Sequence, residues 1–508
     1  MRRPNHSPHR TPPRRALFTA LACVLAAAPA AAQAPRTARP PAPAGAPPAV
    51  THCGDDGAGS LRAALAAAGN ADTLDLSALD CDTILLSGGA LAVGVDDLTL
   101  IGPGADRLTL DAGGLDRVLA HEGKGTLAIR GLTIRGGTVV GKSAGDPLRG
   151  GCVFSTGRLE LLESSVSGCL VDAVDRAYGG CISAHQAVIA DTVVEQCTAR
   201  ASDAEQSWVH GGALAVDDGL QMERSRVSHS TARAVQGEAL GGGIFVGTAP
   251  STIDDSFIHD NVALGAPYLA GPGFTTVQGM GGGIHTSGPL TLSGCTVAGN
   301  QASSGGGISL NEAGFSEDAL SLVNSTVSGN TASSQGGGIW VLFSGIRIDN
   351  STVVFNEAVL GAGGIMPRLG LFALYDQSYP PKISSSIIAA NTTEKGAADL
   401  FVDTFGSPPP KAFAVVGAQN LIGDSNLPVP AGTLAGDPLL APLADNGGLS
   451  PTHALLAGSP ARDAGSNALN LAFDQRGAGH PRAAGPAPDI GAFESPSDGE
   501  TIFADGFE

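Results

Sequence analysis

Aromatic residues are scarce, 4% of 508 residues, with only Trp 2 and Tyr 4. So few rings suit thin stacked coils better than a thick globular interior. Positive charge is scarce as well. The formal net charge is −19, and residues 1–32 hold five Arg and no acid, so the remainder sets 24 basic against 48 acidic residues, near −24. That balance opposes binding to nucleic acid and insertion into anionic membranes. No apolar run reaches about 18–20 residues, so no transmembrane helix is expected. Nucleophile-elbow, phosphate-loop and HExxH sequences are missing, and the Cys spacings do not match zinc motifs.

What is abundant is glycine, Gly 72 in all, and it recurs in a pattern. Gly305–Asn330 reads GGGISLNEAGFSEDALSLVNSTVSGN, and Gly336–Asn356 reads GGGIWVLFSGIRIDNSTVVFN. Each unit is a glycine run, Ile, an alternating apolar segment, Asn-Ser-Thr-Val or a variant of it, and a closing Asn. Related glycine runs begin at Gly150, Gly179, Gly211, Gly241, Gly281 and Gly363. Closing residues are Cys169, Cys197, Ser230, Asn261, Asn300, Asn330, Asn356 and Asn391. Self-similarity at this period marks a repeat architecture. Inside each unit the apolar period is two, as in Leu290 and Leu292 or Ile346 and Ile348, which predicts short half-buried strands. Such a unit cannot close its own core, but coils stacked about 4.8 Å apart can. The expectation is an all-β chain: a single-stranded right-handed parallel β-helix, with an N-terminal helical cap and a C-terminal capping segment. Asn261, Asn300, Asn330, Asn356 and Asn391 are expected to stack as a structural ladder of amides.

Taken in order, residues 1–32 read as a secretory signal, with a basic start, an apolar Ala16–Ala28 and a cut before Gln33. Residues 33–49 are a Pro/Ala-rich linker and 50–97 an N-terminal cap, where Ser60 begins a short helix ended by Gly69. Residues 98–425 hold the coils, 426–496 the C-terminal segment, and 497–508 a tail that is either a sorting signal or a frayed acidic end. Export favours disulfides. Cys53 and Cys81 bracket the cap and are expected to bond. Cys152 and Cys181 occupy equivalent corners of successive coils, as do Cys169 and Cys197, so each pair should be vertical neighbours, bonded or stacked as thiols. Cys295 stands where other coils have Ser and is left unpaired.

From Asp437 to Glu494 the pieces DPLL, DNGG with THALL, GSPARDAG, DQRG and DIGAFE follow in order. This segment resembles the bacterial choice-of-anchor Q domain, and the GGGI…NSTVSGN coils resemble the pectate-lyase-like β-helix repeats that accompany it. The coils are also similar, more loosely, to repeats of polymorphic outer-membrane proteins. The resemblance implies secretion or surface display and no single activity, with DQRG (Asp474–Gly477) in an ion pair that holds the segment.

For catalysis the sequence offers only fragments: His210-Gly211, Asp217-Asp218, Asp254-Asp255 and Arg347-Ile348-Asp349. Their order and the missing lysine do not fit polygalacturonases, so no catalytic residue is assigned. Binding is the better-supported reading. The longest insertions, 170–178, 198–210, 231–240 and 262–280, are expected as loops emerging on one face, with Tyr178, Trp208, Tyr268 and Phe274 offered to a glycan or surface-protein partner. Asp172, Asp175, Asp203 and Glu205 beside them offer oxygen ligands to calcium; no other cofactor is expected. The sequence is thus read as a monomeric exported adhesin-like protein, with an extracellular polysaccharide lyase or hydrolase as the alternative.

Overall fold

The computed structural model describes residues 47–141, 143–203, 206–266, 278–311, 316–368, 379–395, 398–403 and 413–497. The chain divides between Gly45 and Ala46, and everything described belongs to the second unit. The signal segment, the linker to residue 46, Pro408-Pro409-Pro410 and the tail from 498 lie outside the described residues, as do Glu205, Tyr268 and Phe274.

Alternation of apolar and polar residues builds a parallel β-solenoid, which among the described residues has three sheets with 19, 12 and 14 strands. One coil shows the path. Ile284–Thr286 and Leu290–Ser293 lie in the first sheet, Thr296–Ala298 in the second and Gln301–Ser304 in the third. Register is kept from coil to coil. Ile244, Ile284, Ile308, Ile339 and Ile365 are successive partners in the first sheet, all buried. Ile258, Val297, Val327, Val353, Ile388 and Ile422 form the matching line in the second. One continuous core results, and the helix Leu61–Ala67 adds Leu61, Ala64 and Leu65 to it. The Ser60 hydroxyl accepts from the Ala63 N–H at 3.1 Å and caps that helix. Cys53 is bonded to Cys81.

The interior of each coil is closed by a pair of positions, the third residue of the glycine run and the closing residue. In late coils these are Gly and Asn. A Cβ on Gly283, Gly307 or Gly338 would meet the amide of Asn300, Asn330 or Asn356 at 3.0 Å, so the side chain of one fills the space left by the other. The amides form the expected vertical ladder. The Asn300 backbone N–H and its Nδ2 both donate to Asn330 Oδ1 at 3.0 Å, and Asn330 repeats this to Asn356. Nδ2 of Asn330 also donates to the Val297 carbonyl at 2.9 Å. The ladder ends on Asp399, whose Oδ1 accepts from Asn391. A second, hydroxyl ladder runs at the neighbouring corner: backbone N–H groups of Cys295, Ser325 and Ser351 donate to Ser325, Ser351 and Ser386 Oγ. Cys295 is a free buried thiol within it.

The cysteines correct the expectation of vertical pairing. Cys152 and Cys181 are indeed stacked, the Cys152 N–H donating to the Cys181 carbonyl at 2.9 Å. The bonds nevertheless run within a coil, Cys152 to Cys169 and Cys181 to Cys197, with Cα separations of 5.7 and 5.4 Å. In-register neighbours sit too far apart at Cβ for an easy bridge, whereas the closing pair faces across the coil interior.

Two further expectations are corrected. The described residues of the insertions at 170–178, 198–210 and 231–240 form strands where loops were expected. Leu170–Ala173, Thr198–Ala201 and Thr231–Ala234 run outward in one ladder, and Arg176–Tyr178, Ser207–His210 and Gly237–Leu240 return in another. Between the layers lie Ala173, Ala177, Ala199, Ala201, Ala232 and Ala239, small enough for close approach. This two-layered fin widens the third sheet. The C-terminal segment, expected as a cap, begins as one, with Leu427 in the core and Leu434 bridged to Leu421, and from Asp437 on it lies along the outer face of the second sheet. Ala454, Leu455, Ala461, Ile490 and Phe493 cover Val354, Ile387, Ala389 and Leu421, outward residues too apolar to be left in water. Gln475 fixes it, accepting from Thr326 Oγ1 at 2.6 Å and donating to Thr296 Oγ1 at 2.7 Å.

Candidate functional site: the elbow between fin and first sheet

Alternation along the returning strands decides which side chains face outward. Ala177, Val209 and Ala239 point into the fin, so Tyr178, Trp208, His210 and Glu238 point out. Tyr178 is in register with His210, and Trp208 with Arg176 and Glu238. The first sheet meets this face at the glycine corner and presents Phe245 and His285, which are partners in successive coils. A strip of rings results. Tyr178 stands edge-on to His210 at 4.9 Å, His210 stacks on Phe245 at 4.2 Å, and Phe245 lies parallel to His285 at 5.7 Å. The Arg149 guanidinium sits 4.5 Å over the Tyr178 ring and is held by both oxygens of Asp217, at 3.0 and 2.8 Å.

Burial sets the charge state of the strip. It pushes His210 down to about 4, aided by the Arg149 charge, and His285 down to about 3. Burial also raises the Tyr178 phenol and the Glu238 carboxyl. At pH 7 the rings are therefore uncharged, and Arg149 is matched by Asp217. Tyr178 and Trp208 remain half-buried, with surface left for a ligand. This chemistry suits stacking against a flat apolar face flanked by hydroxyls.

Arg149, His210 (as a groove residue) and Phe245 were not singled out for binding from the sequence. The signal was present: the residue before each glycine run ends a fin strand facing outward, and the residue after GGGI faces it. Tyr268 and Phe274 lie outside the described residues.

The acidic fragments do not assemble at the elbow. Asp217 is taken by Arg149, Asp218 accepts from Gln186 Nε2 at 2.7 Å, and Asp349 binds Arg347 Nε at 2.7 Å. Asp172 is paired with Arg200 at 2.7 Å and Asp175 with Arg176 at 3.4 Å. Asp255 instead lines a separate groove of about 510 Å³ between the second-sheet corner and the C-terminal segment, with Asp191, Arg224, Phe257 and Asp445. There Arg224 holds both oxygens of Asp191 at 2.8 and 2.7 Å. In the C-terminal segment, DQRG supplies the Asp474–Arg476 pair at 2.6 Å, nearly sealed from solvent.

No family model matches the chain, and no curated protein does. Among solved structures it is similar to pectate lyase Pel9A, at 12% identity over 86% of this chain and 90% of that chain, with a TM-score of 0.43. The three disulfides are compatible with an oxidising compartment. Among the described residues no helix is long and apolar enough to cross a membrane.

Proposed function

We propose that this chain is an exported, surface-displayed or secreted β-helix protein that binds a neutral glycan at the elbow, without cleaving it. The observation that supports this most is the pairing of half-buried Trp208 and Tyr178 on one outward face, beside the His210–Phe245 stack. Sugar rings present apolar faces to such platforms and hydroxyls to flanking polar groups. An acidic polymer is disfavoured because the arginines named at the elbow are matched by carboxylates: Arg149 by Asp217 and Arg176 by Asp175. The same pairing speaks against the lyase alternative, which needs carboxylates free to hold calcium and a free base. The likeness of residues 437–494 to choice-of-anchor Q segments supports display at the cell surface.

The test is a glycan array followed by titration calorimetry with the wild type and Trp208→Ala. Binding weakened about tenfold or more, with an unchanged melting temperature, is the expected result. Unchanged affinity moves the site elsewhere, and release of reducing ends or unsaturated uronates from any polysaccharide replaces the binding reading by the enzymatic one.

A further inference from the structure

On the second sheet, away from the elbow, two imidazoles and a carboxylate converge. His229 and Asp260 are equivalent corner residues of successive coils, with left-handed φ of 51° and 54°. His259 precedes Asp260 and is the register partner of Ser228. His229 Nε2 lies 3.7 Å and His259 Nδ1 2.7 Å from the same oxygen, Asp260 Oδ2. One ligand atom from each residue fits within 4.8 Å of the others.

The surroundings keep this cluster in place and open on one side. The His259 ring stacks on Phe257 at 3.9 Å, and the His229 N–H donates to the His259 carbonyl at 3.3 Å, so backbone and ring are both fixed. His229 and Asp260 are half in solvent, their side chains 56% and 53% exposed. In the next coil the corner residue is Gly299, where a Cβ would stand 2.7 Å from Asp260 Oδ1; glycine leaves the carboxylate uncovered. One polar atom beside the cluster is buried without a hydrogen-bond partner, Ser228 Oγ, on a residue with 0% exposure that is the register partner of His259. Buried polar atoms of this kind ask for a missing partner.

We propose that His229, His259 and Asp260 form a binding site for a late first-row divalent cation of the zinc class. Two imidazole nitrogens with one carboxylate are the donor set such ions prefer, whereas calcium and magnesium take oxygen sets. Ligands about 2.0–2.1 Å from a tetrahedral ion are roughly 3.4 Å apart, so His229 and Asp260 are already near that spacing and His259 needs to open by less than 1 Å. Three protein donors on an exposed corner leave the fourth position to water or to a donor from outside. Glu195 and Arg226, on neighbouring strands of the second sheet, are paired with each other at 3.2 Å and do not compete for the ion. The site does not depend on the glycan reading.

The experiment uses the full chain, stripped with chelator and titrated with ZnCl2 and, separately, CoCl2. One zinc per chain is expected, with cobalt giving the visible ligand-field bands of a four-coordinate nitrogen–oxygen site. His229→Ala and Asp260→Asn should each weaken zinc binding by roughly 10–100-fold. His229 is the primary variant because it is exposed and its removal leaves the His259–Phe257 stack; unchanged circular dichroism and melting verify that. Equal zinc affinity in both variants, or displacement of zinc by an equal concentration of CaCl2, would overturn the proposal.

Discussion

The early coils, from residue 138 to 240, and the late ones, from 281 to 391, solve the same problem with different bonds. Each coil must close its interior where the glycine run meets the closing residue. The early coils do it covalently, Cys152 with Cys169 and Cys181 with Cys197. The late coils pair Gly with Asn and satisfy the amide through the ladder. The last early coil instead has Ala213 and Ser230, both smaller than cysteine, and there Ser230 Oγ accepts from the Cys197 N–H while its own N–H donates to Asn261 Oδ1. The two positions change together because they share one volume. The regions differ outside as well: early coils carry most of the fin, with its outward Tyr178, Trp208 and His210, and late coils lie under the C-terminal segment.

The largest break should come in the late coils. Asn330→Ala removes the acceptor for two donors of Asn300 and leaves the Val297 carbonyl and Asn356 Oδ1 short of a partner. Unsatisfied buried groups cost about 1–3 kcal/mol each, so a loss of about 3–5 kcal/mol is expected in chemical unfolding. A loss below about 1 kcal/mol would mean that water enters the ladder and satisfies it. The early coils should break less. Cys152→Ala with Cys169→Ala opens a loop closed over 17 residues, worth about 3 kcal/mol on the chain-entropy view. The comparison sharpens with the exchange Cys181→Gly and Cys197→Asn. That places the late chemistry next to Ser230, whose Oγ already accepts from the backbone at 197. The exchange should recover about half of what the matching Ala pair loses, measured as denaturant midpoints. No recovery would show that the Gly–Asn pair works only within an unbroken run of amides.

The sequence made the coils readable because the constraint repeats: Ile after the glycine run must land on Ile, and any slip of one residue would turn the line to solvent. Asn300 and Asn330 were readable for the same reason. The cysteine bonds are legible only within a coil, where GGC closes on Cys as GGG closes on Asn, and not from the likeness of one coil to the next. The fin was hidden because alanine is a weak strand signal, although TARA occurs at both Thr198–Ala201 and Thr231–Ala234, which are register partners. The site of the C-terminal segment had no signal of this kind. Its seat depends on single contacts such as Gln475 to Thr296 and Thr326, across about 150–180 residues of chain, without any repeat to announce them.

The smallest effect expected belongs to that segment and separates it from the coils by pH. Glu494 is buried, and burial raises its carboxyl to about 7, opposed by hydrogen bonds from the Ala484 and Asp489 N–H groups. In the unfolded chain it titrates near 4.5. Between these values the folded segment holds more protons than the unfolded one, so its stability falls as pH rises from about 4.5 to 7 and levels off above. The change should be about 1–3 kcal/mol, with the lowering effect of the Arg482 charge 3.8 Å away already included. Limited proteolysis and hydrogen exchange across residues 436–495 should thus show faster opening at pH 8 than at pH 5.5, while the strand amides around Ile308 and Ile339 stay protected at both. Glu494→Gln carries no titrating proton and should flatten the profile even where it lowers overall protection. If the coils and the segment instead loosen together with pH, the segment is folded into the same cooperative unit as the solenoid, and the contrast between the two regions lies in their bonds alone.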